Sequence, residues 1–342
     1  MKSTPHRSKI KMADIAKAVG VSAMTVSRAF KGDQGVKAAT RAAILKKADE
    51  LGYVFDATAA NLRQNRTGFV AVTVPSVENA NFSTTVRAIS QVLARKNIQI
   101  LLANTEYDPD EEERLINQVL RRNPEAMILT GAQHSKGTEN LLRKAAIPII
   151  EIWDLPDDPI GHVVGFSNRE SVKGLVDHLV KSGRRNIAFL GGETQADPRG
   201  VQRRAGFVAA MEAQGLAAHR LIPLGNSPVS MSEGATGLDL LCERFPEADA
   251  IMCVSDPVAF GALAQCARRG ITVPDDIAIA GFGNYEIGRI CEPPLTTVDV
   301  KADLIGQRAA ELAIDLLAGN TENSDRMRVV IRPDLILRGS TQ

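Results

Sequence analysis

The residues able to do chemistry fall into a few groups, and most explain themselves without a reaction. The densest is the acidic run DPDEEER at 108–114, a composition that acid–base or metal chemistry would use. Asp108 as a helix cap, Pro109 at the first helical position and acids in the first turn account for all of it. Cys242, Cys253, Cys266 and Cys291 form no C-x-x-C pair and have no paired histidines, so they read as reduced core thiols rather than metal ligands. His6, His134, His162, His178 and His219 are scattered, with no serine or cysteine nucleophile motif nearby. His178 falls within an amphipathic helix and reads as structural. Gly281 and Gly283 make half of a dinucleotide loop whose second half is missing, and no phosphate-binding loop ending in Lys-Ser or Lys-Thr is present. No catalytic set, metal site or cofactor site emerges.

What remains is chemistry of recognition. In KMADIAKAVGVSAMTVSRAF, residues 11–30, the spacing predicts two short helices and a tight turn. Ile15, Ala16 and Val19 share one face of the first helix, Gly20 gives the turn its backbone freedom, and Ser22 is placed to cap the second helix. Val26, Ala29 and Phe30 then point towards the first helix, while Ala23, Met24, Ser27 and Arg28 face outward together. A helix with a polar, cationic free face is what a DNA major groove admits. An ordinary αα-hairpin with a solvated outer face has the same spacing.

Charge separates the two readings. The 342 residues are 44% hydrophobic and 24% charged, the balance of a soluble globular chain of two or three domains, with a net charge of +1. Residues 1–66 hold 13 Lys and Arg against 5 Asp and Glu; the remainder holds 28 against 35. A basic head on an acidic body is the layout of a DNA-binding module attached to something else. Met1 to Lys11 is polar and basic and no long apolar run follows, so a cytoplasmic protein without a membrane span is expected.

The elements that position these residues follow in order. A third helix is expected from Ala38 to Leu51, covering the first two with Ala42, Leu45, Ala48 and Leu51 and ended by Gly52. Residues 1–55 thus make a head. Residues 56–67 make a short polar linker helix with one exposed-looking leucine, Leu62, beside Arg63; it is too short to be stable alone. From Phe69, short apolar runs alternate with amphipathic helices in the rhythm of parallel sheets covered on both faces. The rhythm restarts after HVVGFSN, giving an α/β body of two doubly wound lobes. Lobe 1 is expected at about 68–165 and 296–325, and lobe 2 at about 166–295 and 326–342, with MRVVIRPDLILRG as a final strand. Ligands of open parallel sheets sit at the carboxyl ends of the strands, so polar residues just after the strands are the site candidates of the body.

The whole order resembles the lactose-repressor (LacI/GalR) family of bacterial transcription regulators, from about Lys9 to Gly339. The pieces that carry the resemblance are DIAKAVGVSAMTVSRAF (14–30), AANLRQNRTGFVAV (59–72), RRAGFVAAM (203–211), VPDDIAIAGFGN (273–284) and PPLTTV (293–298). The resemblance implies a helix-turn-helix head, a hinge helix and a periplasmic-binding-protein-like body that binds an effector and dimerises. It assigns base reading to Ala23, Met24 and Arg28, phosphate anchoring to Ser22, Thr25 and Ser27, and a minor-groove wedge to Leu62 beside Arg63. Two-fold symmetry then predicts palindromic operator DNA. Lys11 and Lys37 depart from the Ser or Thr caps of many members; a lysine opposes the dipole at a helix start, though both could meet phosphates.

For the cleft, the resemblance implies effector contacts from Phe82, Thr130, Trp153, Asp154, Arg199, Arg203, Asp256 and Asn284. Arg199 and Arg203 are one helical turn apart, and two guanidiniums in a cleft suit a carboxylate or phosphate. Arg199 paired with Asp197 is the competing reading. The stretch IPIIEIWDLPDDPIGHVVGFSN (147–168) most resembles gluconate-operon repressors. Both lines lead to a sugar acid such as gluconate or a ketogluconate, with a neutral sugar or a purine as the alternative. The expectation is a homodimeric, effector-controlled DNA-binding repressor without cofactor. A solute-binding protein is opposed by the basic head, and an α/β enzyme by the missing catalytic set.

Overall fold

The computed structural model describes residues 10–30, 33, 35–53, 67–319 and 326–342. The linker expected at 56–67, including Leu62 and Arg63, lies outside the described residues apart from Thr67. The chain divides into two compact units, residues 1–67 and 68–342.

In the first unit, α1 (Met12–Val19), α2 (Ala23–Phe30) and α3 (Ala38–Leu51) enclose a core of Ile15, Ala16, Val26, Ala29, Val36, Ile44 and Ala48. Gly20 ends α1 in the left-handed region at φ 72°, so that its N–H returns to Ala16 O. Ser22 caps α2: its Oγ accepts from the Thr25 N–H at 3.1 Å. Lys11 offers no side-chain cap to α1, and Asp14 compensates. Its carboxylate accepts the Lys11 N–H at 2.7 Å, and its own N–H donates to Lys11 O at 2.9 Å. The inward face of α3 corrects the sequence expectation. Ile44 is wholly buried while Leu45 is 43% exposed, and Ala42 is also exposed. The stripe is Ile44, Ala48 and Leu51, because the branched Ile44, not Leu45, faces α1 and α2.

The second unit holds two parallel sheets. Lobe 1 runs β1 (Phe69–Val74), α4 (Ala80–Ala94), β2 (Gln99–Asn104), α5 (Pro109–Leu120), β3 (Met127–Thr130), α6 (Lys136–Lys144), β4 (Ile149–Ile152) and β5 (His162–Gly165). Lobe 2 runs α7 (Lys173–Lys181), β6 (Ile187–Leu190), α8 (Pro198–Ala213), β7 (Leu221–Ile222), α9 (Met231–Arg244), β8 (Ala250–Cys253), α10 (Asp256–Arg269), β9 (Ala278–Ala280) and α11 (Ile287–Ile290). The chain then forms β10 (Thr297–Asp299), α12 (Ala302–Leu317), β11 (Arg328–Val330) and β12 (Asp334–Ile336). The first sheet has the order β11-β5-β4-β3-β1-β2 and the second β7-β6-β8-β9. The strands inside each sheet are buried on both faces, as covered parallel sheets require, while the edge strands β2 and β11 are partly exposed. α5 starts as its sequence dictates, with Asp108 Oδ1 accepting the Asp110 N–H at 2.8 Å. α12 packs on α4 so closely that a Cβ at Gly306 would lie 2.4 Å from Thr85 O. Among the described residues, no helix is long and apolar enough to cross a membrane, and no cluster of side chains could hold a metal ion.

The C-terminal segment divides differently from the expectation of one strand in lobe 2. Pro333, which has no N–H to give a ladder, separates two strands. β11 joins β5 in the first sheet, and β12 pairs antiparallel with β10 between the lobes. Residues 328–330 therefore belong to lobe 1. The chain crosses between lobes near 166–168, near 299–301 and near 331–334.

Two expected cleft residues instead fasten this junction. Asp256 opens α10 and is completely buried, accepting Thr297 Oγ1–H at 2.6 Å and the Tyr285 N–H at 2.7 Å. Asn284 donates from Nδ2 to Asp299 Oδ2 at 3.0 Å and accepts from Arg338 Nη2 at 2.7 Å. Neither side chain lines the cleft.

Ile44→Ala is expected to destabilise the head by about 3 kcal/mol through the cavity it leaves, while Leu45→Ala shifts it by less than about 0.5 kcal/mol. Hydrogen exchange of the α1–α3 amides separates the two, and equal effects would contradict the packing. Burial raises the Asp256 carboxyl from an ordinary 3.8 to about 6, so its proton is held more tightly folded than unfolded. Its contribution is therefore full at low pH and lost as pH rises through about 6. Between pH 7.5 and pH 4.5, the stability of wild type over Asp256→Asn should grow by about 2 kcal/mol. A pH-independent difference in unfolding would contradict it.

Candidate functional site

On the head, the free face of α2 matches its sequence pattern. Ser22, Ala23, Met24 and Arg28 are exposed, and Thr25 and Ser27 are half-buried. Met24 is 62% exposed, an apolar side chain set among polar ones. Arg28 projects from the last turn of the helix and pairs with Asp33 at 3.4 Å across exposed surface. Such a pair is weak in water, so the guanidinium is available to a stronger acceptor. Ser22 Oγ and Thr25 Oγ1 share a hydrogen bond of 2.9 Å at the start of α2.

In the body, residues after the strands of both lobes, among them Tyr107, Trp153 and Ser255, line a pocket between the lobes. Its frame is a ladder of aromatic rings running from lobe 1 into lobe 2. Phe82 meets Trp153 edge-on at 5.2 Å, Trp153 meets Phe166 at 6.1 Å, and Phe166 meets Phe282 at 6.3 Å. Trp153 is fixed by its Nε1–H, which donates to Thr85 Oγ1 at 3.2 Å, and by Asn168 Nδ2, which donates to the Trp153 carbonyl at 3.0 Å. Its backbone is left-handed at φ 71°, a strained conformation for a bulky residue that these contacts hold in place.

Two cations lie on this ladder. The Arg199 guanidinium stands 5.4 Å over the Phe82 ring, and that of Arg203 stands 4.5 Å over Phe282. They are 7% and 12% exposed. Asp197 sits between them, 3.5 Å from Arg199 and 3.8 Å from Arg203, so both readings of Arg199, cleft residue and partner of Asp197, hold at once. Burial pulls the Arg203 guanidinium below its usual range while Asp197 opposes the shift. Arg203 Nε is buried and has no hydrogen-bond acceptor. The two guanidiniums have one carboxylate in contact, Asp197, with Asp154 acting on them from farther off, and Arg203 Nε remains a donor without its acceptor.

The lobes are tied across this pocket. Asn81 Nδ2 donates to Gly283 O at 2.9 Å, Tyr285 O–H to Asn79 Oδ1 at 2.7 Å, and Gln202 Nε2 to Asp154 Oδ2 at 3.1 Å. Asp154 thus sits at the lobe boundary; burial raises its carboxyl, opposed by the Leu155 N–H, Arg199 and Gln202. Asp154 and Thr130 line an adjoining chamber rather than the cation pocket. Thr130 Oγ1 is already committed to Thr73 O at 2.8 Å.

Of the eight residues expected in the cleft, the structure brings Phe82, Trp153, Arg199 and Arg203 together, places Thr130 and Asp154 next door, and removes Asp256 and Asn284 to the junction. Ser255, one residue earlier, lines the pocket in place of Asp256. Sequence reasoning also passed over Asn79, Asn81, Tyr107, Phe282 and Tyr285. Tyr107 follows β2 by three residues, so the rule that sites lie after strands would have found it.

Comparison with known proteins gives the geometry its context. Residues 11–56 match the model of bacterial regulatory proteins of the lacI family, and residues 176–341 that of a periplasmic binding protein-like domain. The HTH-type transcriptional regulator IdnR of Escherichia coli is 33% identical over 322 residues, 93% of this chain and 94% of that protein. The regulator GntR of the same species is 31% identical over 313 residues, 91% and 92% of the two chains. Among solved structures, a LacI-family regulator from Silicibacter pomeroyi superposes with a TM-score of 0.89 at 32% identity, covering 97% of this chain and 99% of its own. These relatives are transcriptional regulators, not enzymes. The chain belongs to the lacI family of bacterial regulatory proteins and is a DNA-binding transcriptional regulator.

Proposed function

We propose that this regulator is a homodimeric repressor of palindromic operator DNA whose DNA affinity is set by a small sugar acid, such as gluconate or a ketogluconate, held in the interlobe pocket. The observation that carries the acid is the buried pair Arg199 and Arg203, both in contact with Asp197, with Arg203 Nε lacking an acceptor. A ligand carboxylate supplies both the missing charge and the missing acceptor. The aromatic faces take the carbon chain, and Asn79, Asn81 and Ser255 are placed for its hydroxyls. Similarity to GntR and IdnR, and the likeness of residues 147–168 to gluconate-operon repressors, support the same class.

On the DNA side, Arg28 is the bidentate partner of a guanine and Met24 meets a thymine methyl, while Ser22, Thr25 and Ser27 anchor phosphates and Ala23 lets the helix approach the bases. Leu62 and Arg63 enter the minor groove from the linker. Exposed Val77, Leu102 and Ile290 give apolar surface for the second copy. The ligand acts by its differential affinity for the closed lobes, which changes whether two heads are held at half-site spacing.

The division of labour is tested with two variants and two readouts. Calorimetry of wild type should show binding of gluconate or 2-ketogluconate and none of glucose. Arg203→Ala should weaken acid binding by roughly 100-fold, since a charge-assisted pair is lost, and leave DNA binding without ligand intact. Arg28→Ala should lose discrimination of about 1–3 kcal/mol between operator and random duplex, with acid binding unchanged. Binding of glucose alone would overturn the acid, and equal loss of both functions in either variant would overturn the separation of sites.

A further inference from the structure

The space between the lobes is not one cavity. The cation pocket adjoins a second chamber, and of the residues lining each, only Tyr107 and Arg199 line both. The chambers differ in chemistry. The first carries two guanidiniums on aromatic faces. The second is lined by the Gln133 amide, the His134 imidazole and the Asp154 carboxylate, with the Thr130 hydroxyl already committed to Thr73 O. Its aromatic groups are the Tyr107 ring and the His134 imidazole, and Gln133, His134 and Asp154 are placed to meet the hydroxyls of a sugar ring.

The wall between them is held under strain. Glu106 and Tyr107 are both left-handed, at φ 54° and φ 59°, a pair of conformations that costs on the order of 1–3 kcal/mol per residue. The turn is fixed on both sides, by the Thr105 N–H to Val74 O at 2.9 Å and the Asp108 N–H to Thr105 O at 2.9 Å. Strain kept where a glycine or asparagine would relieve it points to a side chain whose position matters. From the lobe 1 side, the Tyr107 ring lies beside the lobe 2 charges Asp197, Arg199 and Arg203. Arg199 closes the rest of the wall, since a Cβ on Gly131 would lie 3.0 Å from its Nη1.

We propose that Tyr107 is a size gate: with Arg199 it closes the cation pocket against the second chamber, so that a six-carbon acid is accepted and an acid bearing a second sugar ring is excluded. The inference rests on the acid reading above, and its test separates the two.

Wild type, Tyr107→Phe and Tyr107→Asn are titrated calorimetrically with two matched pairs, gluconate with lactobionate and glucose with maltose. Wild type and Tyr107→Phe, which keeps the ring, bind gluconate and not lactobionate. Tyr107→Asn, small and at ease in a left-handed backbone, gains lactobionate with a Kd within about tenfold of its gluconate value. If wild type binds glucose instead, the acid reading fails and the gate is read on glucose and maltose in the same variants. The larger member bound by wild type, or still excluded by folded Tyr107→Asn, overturns the gate. Tyr107→Gly is read in the same way if the asparagine variant loses its native circular dichroism. Binding of none of the four ligands, nor of 2-ketogluconate, by any variant overturns both readings.

Discussion

The fixed point of this structure is an unbalanced charge in a nearly dry place. Arg199 and Arg203 are lifted out of water onto Phe82 and Phe282, with Asp197 in contact with both and Asp154 nearby. Burying a cation is costly unless it is paired and hydrogen-bonded, and stacking on a ring recovers only part of that cost. The arrangement persists because the pocket walls come from two lobes that are themselves well packed, each around a parallel sheet whose central strands are buried. The protein thus carries a local electrostatic deficit that an anion relieves, and it carries it where the two lobes meet.

That location couples chemistry to shape. Arg199 and Arg203 belong to α8 of lobe 2, whereas Phe82 and Trp153 belong to lobe 1, so any group that binds both arginines and rings bears on lobe closure. The chain crosses between the lobes near 166–168, 299–301 and 331–334, and Asp256, Asn284 and Arg338 fasten the lobe 2 side of these crossings. Closure of two lobes about a few crossing segments is a small repertoire of motion, and differential affinity for the closed form is all that a ligand needs to drive it.

Much of this was legible in the sequence because local chemistry decided it. Gly20 and Ser22 each had one conformational role to play, and both play it. Arg199 and Arg203, four residues apart on one helix, were bound to share a face. What failed depended on packing partners that spacing does not show. Ile44 and Leu45 are both apolar and adjacent, and only the third dimension puts Ile44 inside. Asp256 sits one residue past Ser255 at the same strand end, and the helix that it opens turns it into the junction. Pro333 was in plain view, but the β11 partner, β5, is more than 160 residues away in sequence. Tyr107 was hidden by its setting among acids whose helix-start role was correctly read.

The most direct test of the central claim is a crystal structure of the chain with gluconate bound. The account places the carboxylate between the guanidiniums of Arg199 and Arg203, within about 3.2 Å of nitrogen atoms on each, with the lobes closed over the carbon chain. A gluconate whose carboxylate lies elsewhere in the cleft, with the arginine pair still served by Asp197 alone, would contradict it.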